Sequence, residues 1–141
     1  MATFTSHSPA ETEALGERTA SHARPGWLIG LIGDLGTGKT QFVKGFAKGL
    51  GVIEPVLSPS FALMHIYSSG RLPLYHIDFY RLQSTEQIVG AGLDEYFASP
   101  GVALIEWWDR WQGRPPPVLW TFTFEALSET QRRISYDDPG S

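Results

Sequence analysis

Gly33-Asp-Leu-Gly-Thr-Gly-Lys-Thr40 satisfies the pattern GxxxxGK[ST] at each fixed position, through Gly33, Gly38, Lys39 and Thr40. A polyphosphate is held by main-chain N–H groups that point inward around it, and glycines let the backbone curl that closely. Residues 27–32, WLIGLI, form a short apolar run of buried-strand type, and residues 41–50 read as a helix. Strand, loop and helix in that order are the context the pattern requires. Without it the same residues would be a glycine-rich turn that happens to hold a lysine. In that context Gly33, Leu35, Gly36, Thr37, Gly38, Lys39, Thr40 and Gln41 form the expected phosphate cradle. Lys39 is expected to reach β- and γ-phosphate oxygens, and the Thr40 hydroxyl to ligate Mg²⁺ at the start of the helix.

The whole chain sets limits on what that loop can serve. Its 141 residues suffice for one domain with a real core, but leave little for a lid or a separate substrate domain. The absence of Cys excludes disulfides, thiolate metal sites and cysteine nucleophiles, and fits a cytoplasmic protein. No basic apolar leader and no apolar run of membrane-spanning length is visible. With 11 basic against 15 acidic residues, net charge −4, autonomous nucleic-acid binding is not expected. The only lysines are Lys39, Lys44 and Lys48, in or just after the loop, and the latter two read as solvated helix residues.

Upstream, Ser8-Pro9-Ala10-Glu11 is a capping box that predicts a helix over residues 9–23, and Arg24-Pro25-Gly26 turns the chain into the first strand. Downstream, Gly49 and Gly51 supply the helix stop. Ser58-Pro59-Ser60-Phe61 carries hydroxyls on an extended segment, placed like a switch that senses γ-phosphate, or simply a loop into a strand. Residues 61–67 and 72–78 predict a β-hairpin around Ser68-Ser69-Gly70-Arg71. The second of these strands ends in Asp78, and residues 102–106 end likewise in Glu106. An acidic residue at the C-terminal edge of a buried strand meets the phosphate side of such a sheet. One carboxylate can serve Mg²⁺ and a second the attacking water.

Between those strands, Ser84-Thr-Glu-Gln87 caps a helix reaching about Gly90, followed by residues 92–97, where Asp94 and Glu95 read as solvated. Trp107, Trp108 and Trp111 follow Glu106. A tryptophan there can stack on a base or face a partner, and core or interface packing is the first expectation for Trp108 and Trp111. Pro115-Pro-Pro117 reads as a rigid linker, residues 118–124 as a strand, residues 132–136 as a last edge strand and residues 137–141 as a loose tail. His7, His22, His65 and His76 have no metal-site spacing. His76 shares a strand face with Asp78, close enough for a supporting hydrogen bond.

These blocks together, GDLGTGKT from Gly33, SPSF from Ser58, LYHIDFYRL from Leu74, GLDEYF from Gly92 and IEWWDR from Ile105, resemble the TsaE (YjeE) family. The similarity runs from the first predicted helix to at least Arg110. The resemblance implies a small ATPase needed for the threonylcarbamoyladenosine modification beside the tRNA anticodon. Its implied ligands are ATP and Mg²⁺, with slow hydrolysis that resets a complex with the TsaD and TsaB proteins. It implies Lys39 as the phosphate-binding lysine, Thr40 and Glu106 as Mg²⁺ ligands, Asp78 as an essential acid, and a site role for Trp107. Lys39, Asp78 and Glu106 are thus the expected catalytic set. Two positions depart from the family pattern: Ser60 stands where it usually has threonine, and Trp108 where it commonly has proline. An arginine of the C-terminal region, such as Arg132, is a candidate nucleotide contact.

A P-loop small-molecule kinase would share these motifs but needs an arginine-bearing lid to exclude water, and no segment has the length or charge for one. A GTPase of the NKxD type is excluded, since the chain contains no Asn. A non-catalytic nucleotide-binding module is the remaining alternative. The expected fold is α/β: a P-loop NTPase-like three-layer domain whose mixed sheet has a parallel centre, an antiparallel hairpin and antiparallel edge strands. No arginine finger is identifiable, so intrinsic turnover is expected to be low, with Arg81 or a partner arginine as candidates.

Overall fold

The computed structural model describes residues 2–58, 62–116 and 119–137. Its strands are β1 (Ala2–Ser6), β2 (Leu28–Ile32), β3 (Met64–Tyr67), β4 (Leu74–Asp78), β5 (Val102–Glu106), β6 (Leu119–Ala126) and β7 (Arg132–Asp137). Its helices are α1 (Pro9–Ala20), α2 (Lys39–Leu50) and α3 (Thr85–Gly90), with 3₁₀ segments at Leu93–Ala98 and Trp108–Arg110. Of the segment read as a switch only Ser58 is described. Pro59, Ser60 and Phe61 lie outside the described residues, as do Pro117, Val118 and residues 138–141.

The seven strands form one sheet in the order β1-β7-β6-β2-β5-β4-β3. Strands β6, β2, β5 and β4 run parallel, while β3 pairs antiparallel with β4 on one side and β7 pairs antiparallel with both β6 and β1 on the other. The expected mixed sheet with a parallel centre is therefore present. Strand alternation sorts the side chains into two cores. Ile29, Leu31, Val102, Leu104 and Phe122 pack under Leu15, Phe42, Phe46 and Leu50 of α1 and α2. Leu28, Ile77, Ala103 and Ile105 pack on the opposite face with Ile88, Leu93 and Trp108. Trp108 is thus core, over a bare patch of β2: a Cβ on Gly30 would fall 2.4 Å from its Cγ. Among the described residues no helix is long and apolar enough to cross a membrane.

Four expectations require correction. The strand over residues 132–136 is not an edge, because β1, which the sequence reading missed, adds outside it with Phe4 opposite Ile134. Helix α1 stops at Ala20 rather than residue 23. The Arg71 guanidinium, from far along the chain, captures the carbonyls of Ala20 and Ala23 and closes that end. The third strand begins at Met64 rather than residue 61, since Leu63 sits at φ 67° and breaks the extended run. Residues 93–98 are a 3₁₀ segment in which Glu95 is exposed but Asp94 is half-buried.

Helices α1 and α2 approach through glycine: a Cβ on Gly45 would fall 1.8 Å from the Glu13 carbonyl oxygen, a backbone atom that cannot swing aside. Gly45→Ala must therefore push the helices apart against a packed core. We expect a loss of about 1–3 kcal/mol, read in thermal melting as roughly 3–10 °C. An alanine variant melting with the parent would mean the interface yields freely.

Candidate nucleotide site

Strand β2 delivers the loop at its C-terminal end, and α2 departs from Lys39. Gly36 and Gly38 take φ values of 79° and 99°, where a Cβ would be strained. Gly33, at φ 153°, is needed for its backbone and for room as well, because a Cβ there would lie 2.7 Å from the Phe124 carbonyl oxygen. Thr37 is buried and its Oγ1 donates to the Asp34 carbonyl at 2.7 Å, pinning the turn. Gly38 is the N-cap of α2 and brings no side-chain cap, so the first-turn N–H groups are left for a ligand.

Lys39 is buried, its Nζ donating to the Gly33 carbonyl and lying 4.1 Å from the centre of the Trp107 ring. Burial holds its pKa below the usual lysine value, while the nearby carboxylates of Glu106, Asp78, Asp109 and Asp34 pull it back upward. Trp107 adopts φ 59° and ψ 41°, a left-handed conformation uncommon for a residue with a side chain, as it caps the 3₁₀ segment Trp108–Arg110. Its ring is also flanked by Tyr80, at 5.1 Å, and the Arg110 guanidinium, at 5.2 Å.

The parallel pairing of β4 with β5 sets Asp78 directly opposite Glu106 at the C-terminal edge of both strands. Both carboxylates are buried, and they share the α2 face of the sheet with Leu74, His76, Val102 and Leu104. Asp78 Oδ1 accepts the Tyr80 N–H at 2.8 Å. The expected His76 to Asp78 hydrogen bond is replaced by another: His76 Nε2–H donates to Glu106 Oε2 at 2.6 Å. Register explains this, since His76 is opposite Leu104 and so lies diagonally across from Glu106, within reach of a ring.

A cavity of about 600 Å³ is lined in part by Leu35, Gly36, Gly38, Lys39, Thr40, Gln41 and Glu106. The structure thus gathers most of the expected cradle. Gly33, Thr37, Asp78 and Trp107 do not line the cavity; they shape the loop, the carboxylate pair or the lysine from behind. The rest of its lining comes from residues outside the motifs: His7, Ser8, Pro9 and Thr12 around the start of α1, and Glu129, Thr130 and Arg132 around the turn between β6 and β7. The first group is fixed by β1, whose buried Ser6 hydroxyl meets the Thr12 hydroxyl at 2.7 Å and donates to the Ser8 carbonyl at 2.8 Å. The second sits on the turn and start of β7, where Arg132 donates to the Gly36 carbonyl at 3.0 Å. The capping box was a usable signal for the first group, as it marked a helix N-terminus. Nothing local marked the second, apart from the single arginine singled out as a candidate.

A family model described as threonylcarbamoyl adenosine biosynthesis protein TsaE matches residues 6–134 of the chain. The tRNA threonylcarbamoyladenosine biosynthesis protein TsaE of Bacillus subtilis is 40% identical over 134 residues, covering 95% of this chain and 84% of the relative. That of Treponema pallidum is 38% identical over 130 residues, covering 92% and 96%. The crystal structure of Bacillus subtilis YdiB superposes with a TM-score of 0.84 at 37% identity, covering 99% of this chain and 86% of that one. With a family match across almost the whole sheet and such relatives over nine tenths of its length, the chain belongs to the TsaE family of threonylcarbamoyl adenosine biosynthesis proteins.

Proposed function

We propose that this chain is a Mg²⁺-dependent ATPase that serves the threonylcarbamoyladenosine modification of tRNA, working with TsaD and TsaB proteins and resetting their complex between rounds. The observation that carries the reading is the cavity itself, in which the uncapped start of α2, Lys39 and Thr40 meet the strand-end carboxylate of Glu106. In this reading the loop N–H groups and Lys39 hold the triphosphate. The base and ribose take the end between the start of α1 and the β6–β7 turn.

The donor chemistry suits a hard divalent cation. Thr40 and Glu106 offer oxygen atoms, and no cluster of three or more acidic or histidine side chains among the described residues would cage the ion alone. Mg²⁺ commonly takes just such a set, completing its shell with phosphate and water. When bound, the ion neutralises charge developing on the phosphates. Asp78, beside Glu106 and anchored through the Tyr80 N–H, supports the water molecules of the site or orients the attacking one.

Arg132, the one arginine lining the cavity among the described residues, is already engaged with the Gly36 carbonyl. Charge stabilisation at the γ-phosphate then depends on Arg81 or a partner arginine, and slow intrinsic turnover follows. The test is ATP hydrolysis by the protein alone and after adding its TsaB and TsaD counterparts. Slow turnover that rises at least about tenfold with the partners is expected, since a supplied arginine contributes that much or more. Fast turnover by the isolated chain, or partners without effect, would refute it.

A further inference from the structure

His76 is fully buried on β4, yet it makes one hydrogen bond, to Glu106 Oε2, and its Nδ1 has no partner among the described residues. A position that existed only for packing would be filled more stably by an apolar side chain, because a buried ring nitrogen left unpaired carries its full desolvation cost. The imidazole also sits where it matters for the cavity. It lies diagonally behind the carboxylate that lines it, on the α2 face, and it occupies one of the two carboxylate oxygens.

A glutamate at a strand end has three side-chain torsions and, without a tether, spreads its carboxylate over several rotamers. Ordering such a chain costs rotamer entropy, which must be met when a ligand binds unless the protein has met it already. We infer that His76 is a positioning residue: it fixes the Glu106 carboxylate in advance, holding Oε2 from behind so that the other oxygen is presented to a divalent cation in the cavity. The ring touches neither nucleotide nor cation. This rests on the Mg²⁺-ATP reading of the site, and it assigns to the histidine a role in cation affinity that is separable from stability and from nucleotide binding.

The experiment compares wild type, His76→Phe and His76→Gln. For each, the thermal midpoint, ATP affinity in EDTA, and the Mg²⁺ concentration giving half the full effect on ATP affinity are measured. Removing the ring in His76→Phe takes away the unpaired Nδ1 but also the Glu106 Oε2 donor, opposing effects on stability, so the midpoint should stay within about 4 °C of wild type and ATP affinity in EDTA within about twofold. The Mg²⁺ requirement should rise about tenfold or more, the loss typical when a residue orienting a metal ligand is removed. Gln, whose amide can donate from a similar position, should restore most of it. Coincident Mg²⁺ titrations for wild type and a folded His76→Phe would overturn the inference, as would equal losses with and without Mg²⁺. Should Phe overpack the site, the smaller His76→Leu is read in the same way. If both fail to fold, His76 is a packing residue and the inference is wrong. A wild-type protein whose ATP binding ignores Mg²⁺ would instead refute the reading of the site, whatever the variants do.

Discussion

Lys39→Met should abolish most nucleotide binding and hydrolysis while the nucleotide-free protein melts no lower, and by up to ~4 °C higher, than wild type. The two effects have one cause. Lys39 is buried as a cation, and burial is the largest influence on its pKa, holding it below the ordinary value despite four carboxylates that pull it upward. Below the lowered pKa both folded and unfolded chains carry the proton, so there the folded state bears the desolvation cost that the carboxylates do not offset. Between the lowered pKa and the ordinary value near ~10.4 the unfolded chain binds more protons. Stability should therefore rise with pH across that window in wild type, and this rise should be missing in the methionine variant. A bound polyphosphate compensates the charge, and its removal from the lysine costs about 2–4 kcal/mol, on the order of a hundredfold in hydrolysis. Thermal melting at pH 7 and at pH 9–10 with parallel hydrolysis assays checks this. A methionine variant that melts well below wild type would show that the Gly33 carbonyl and the Trp107 ring already compensate the charge.

Glu106→Gln should lower hydrolysis by about a hundredfold or more with little change in melting, whereas Glu106→Ala should lose the same activity and also about 1–3 kcal/mol of stability. The difference lies behind the site. Gln keeps an oxygen that can accept the His76 Nε2–H, while Ala leaves a fully buried ring with neither nitrogen paired among the described residues. Glu95→Ala, on the exposed side of the 3₁₀ segment Leu93–Ala98, should change neither quantity measurably, within ~0.5 kcal/mol in stability. Equal effects of the Glu106 and Glu95 substitutions on hydrolysis would mean that the end of β5 is not part of the site.

The P-loop part of the cavity was legible because its information is contiguous. Gly33 to Thr40 is one turn of chain, and Asp78 and Glu106 each announce themselves by ending an apolar run. The rest depends on register and on pairings distant in sequence. Alternation within β4 put His76 next to Asp78, but the hydrogen bond crosses to β5, and only strand pairing reveals a diagonal neighbour. Strand β1 reads as exposed polar chain, with burial confined to Ser6 and partly Phe4, so its sequence has no strong strand pattern; β7 recruits it. The contact of Arg132 with Gly36 spans 96 positions and joins two residues of the cavity lining. Trp108 shows a third kind of gap. At the first position of a 3₁₀ segment, where proline is equally at home, it gains a place in the core because Gly30 leaves space beneath it.

The most direct measurement is calorimetric titration of ATP into the isolated protein, with Mg²⁺ and again with EDTA. The account predicts one nucleotide per chain with a dissociation constant on the order of micromolar in Mg²⁺, weaker binding in EDTA, and no heat from Lys39→Met. Absence of binding by wild type, or binding unchanged by EDTA and by loss of Lys39, would contradict it.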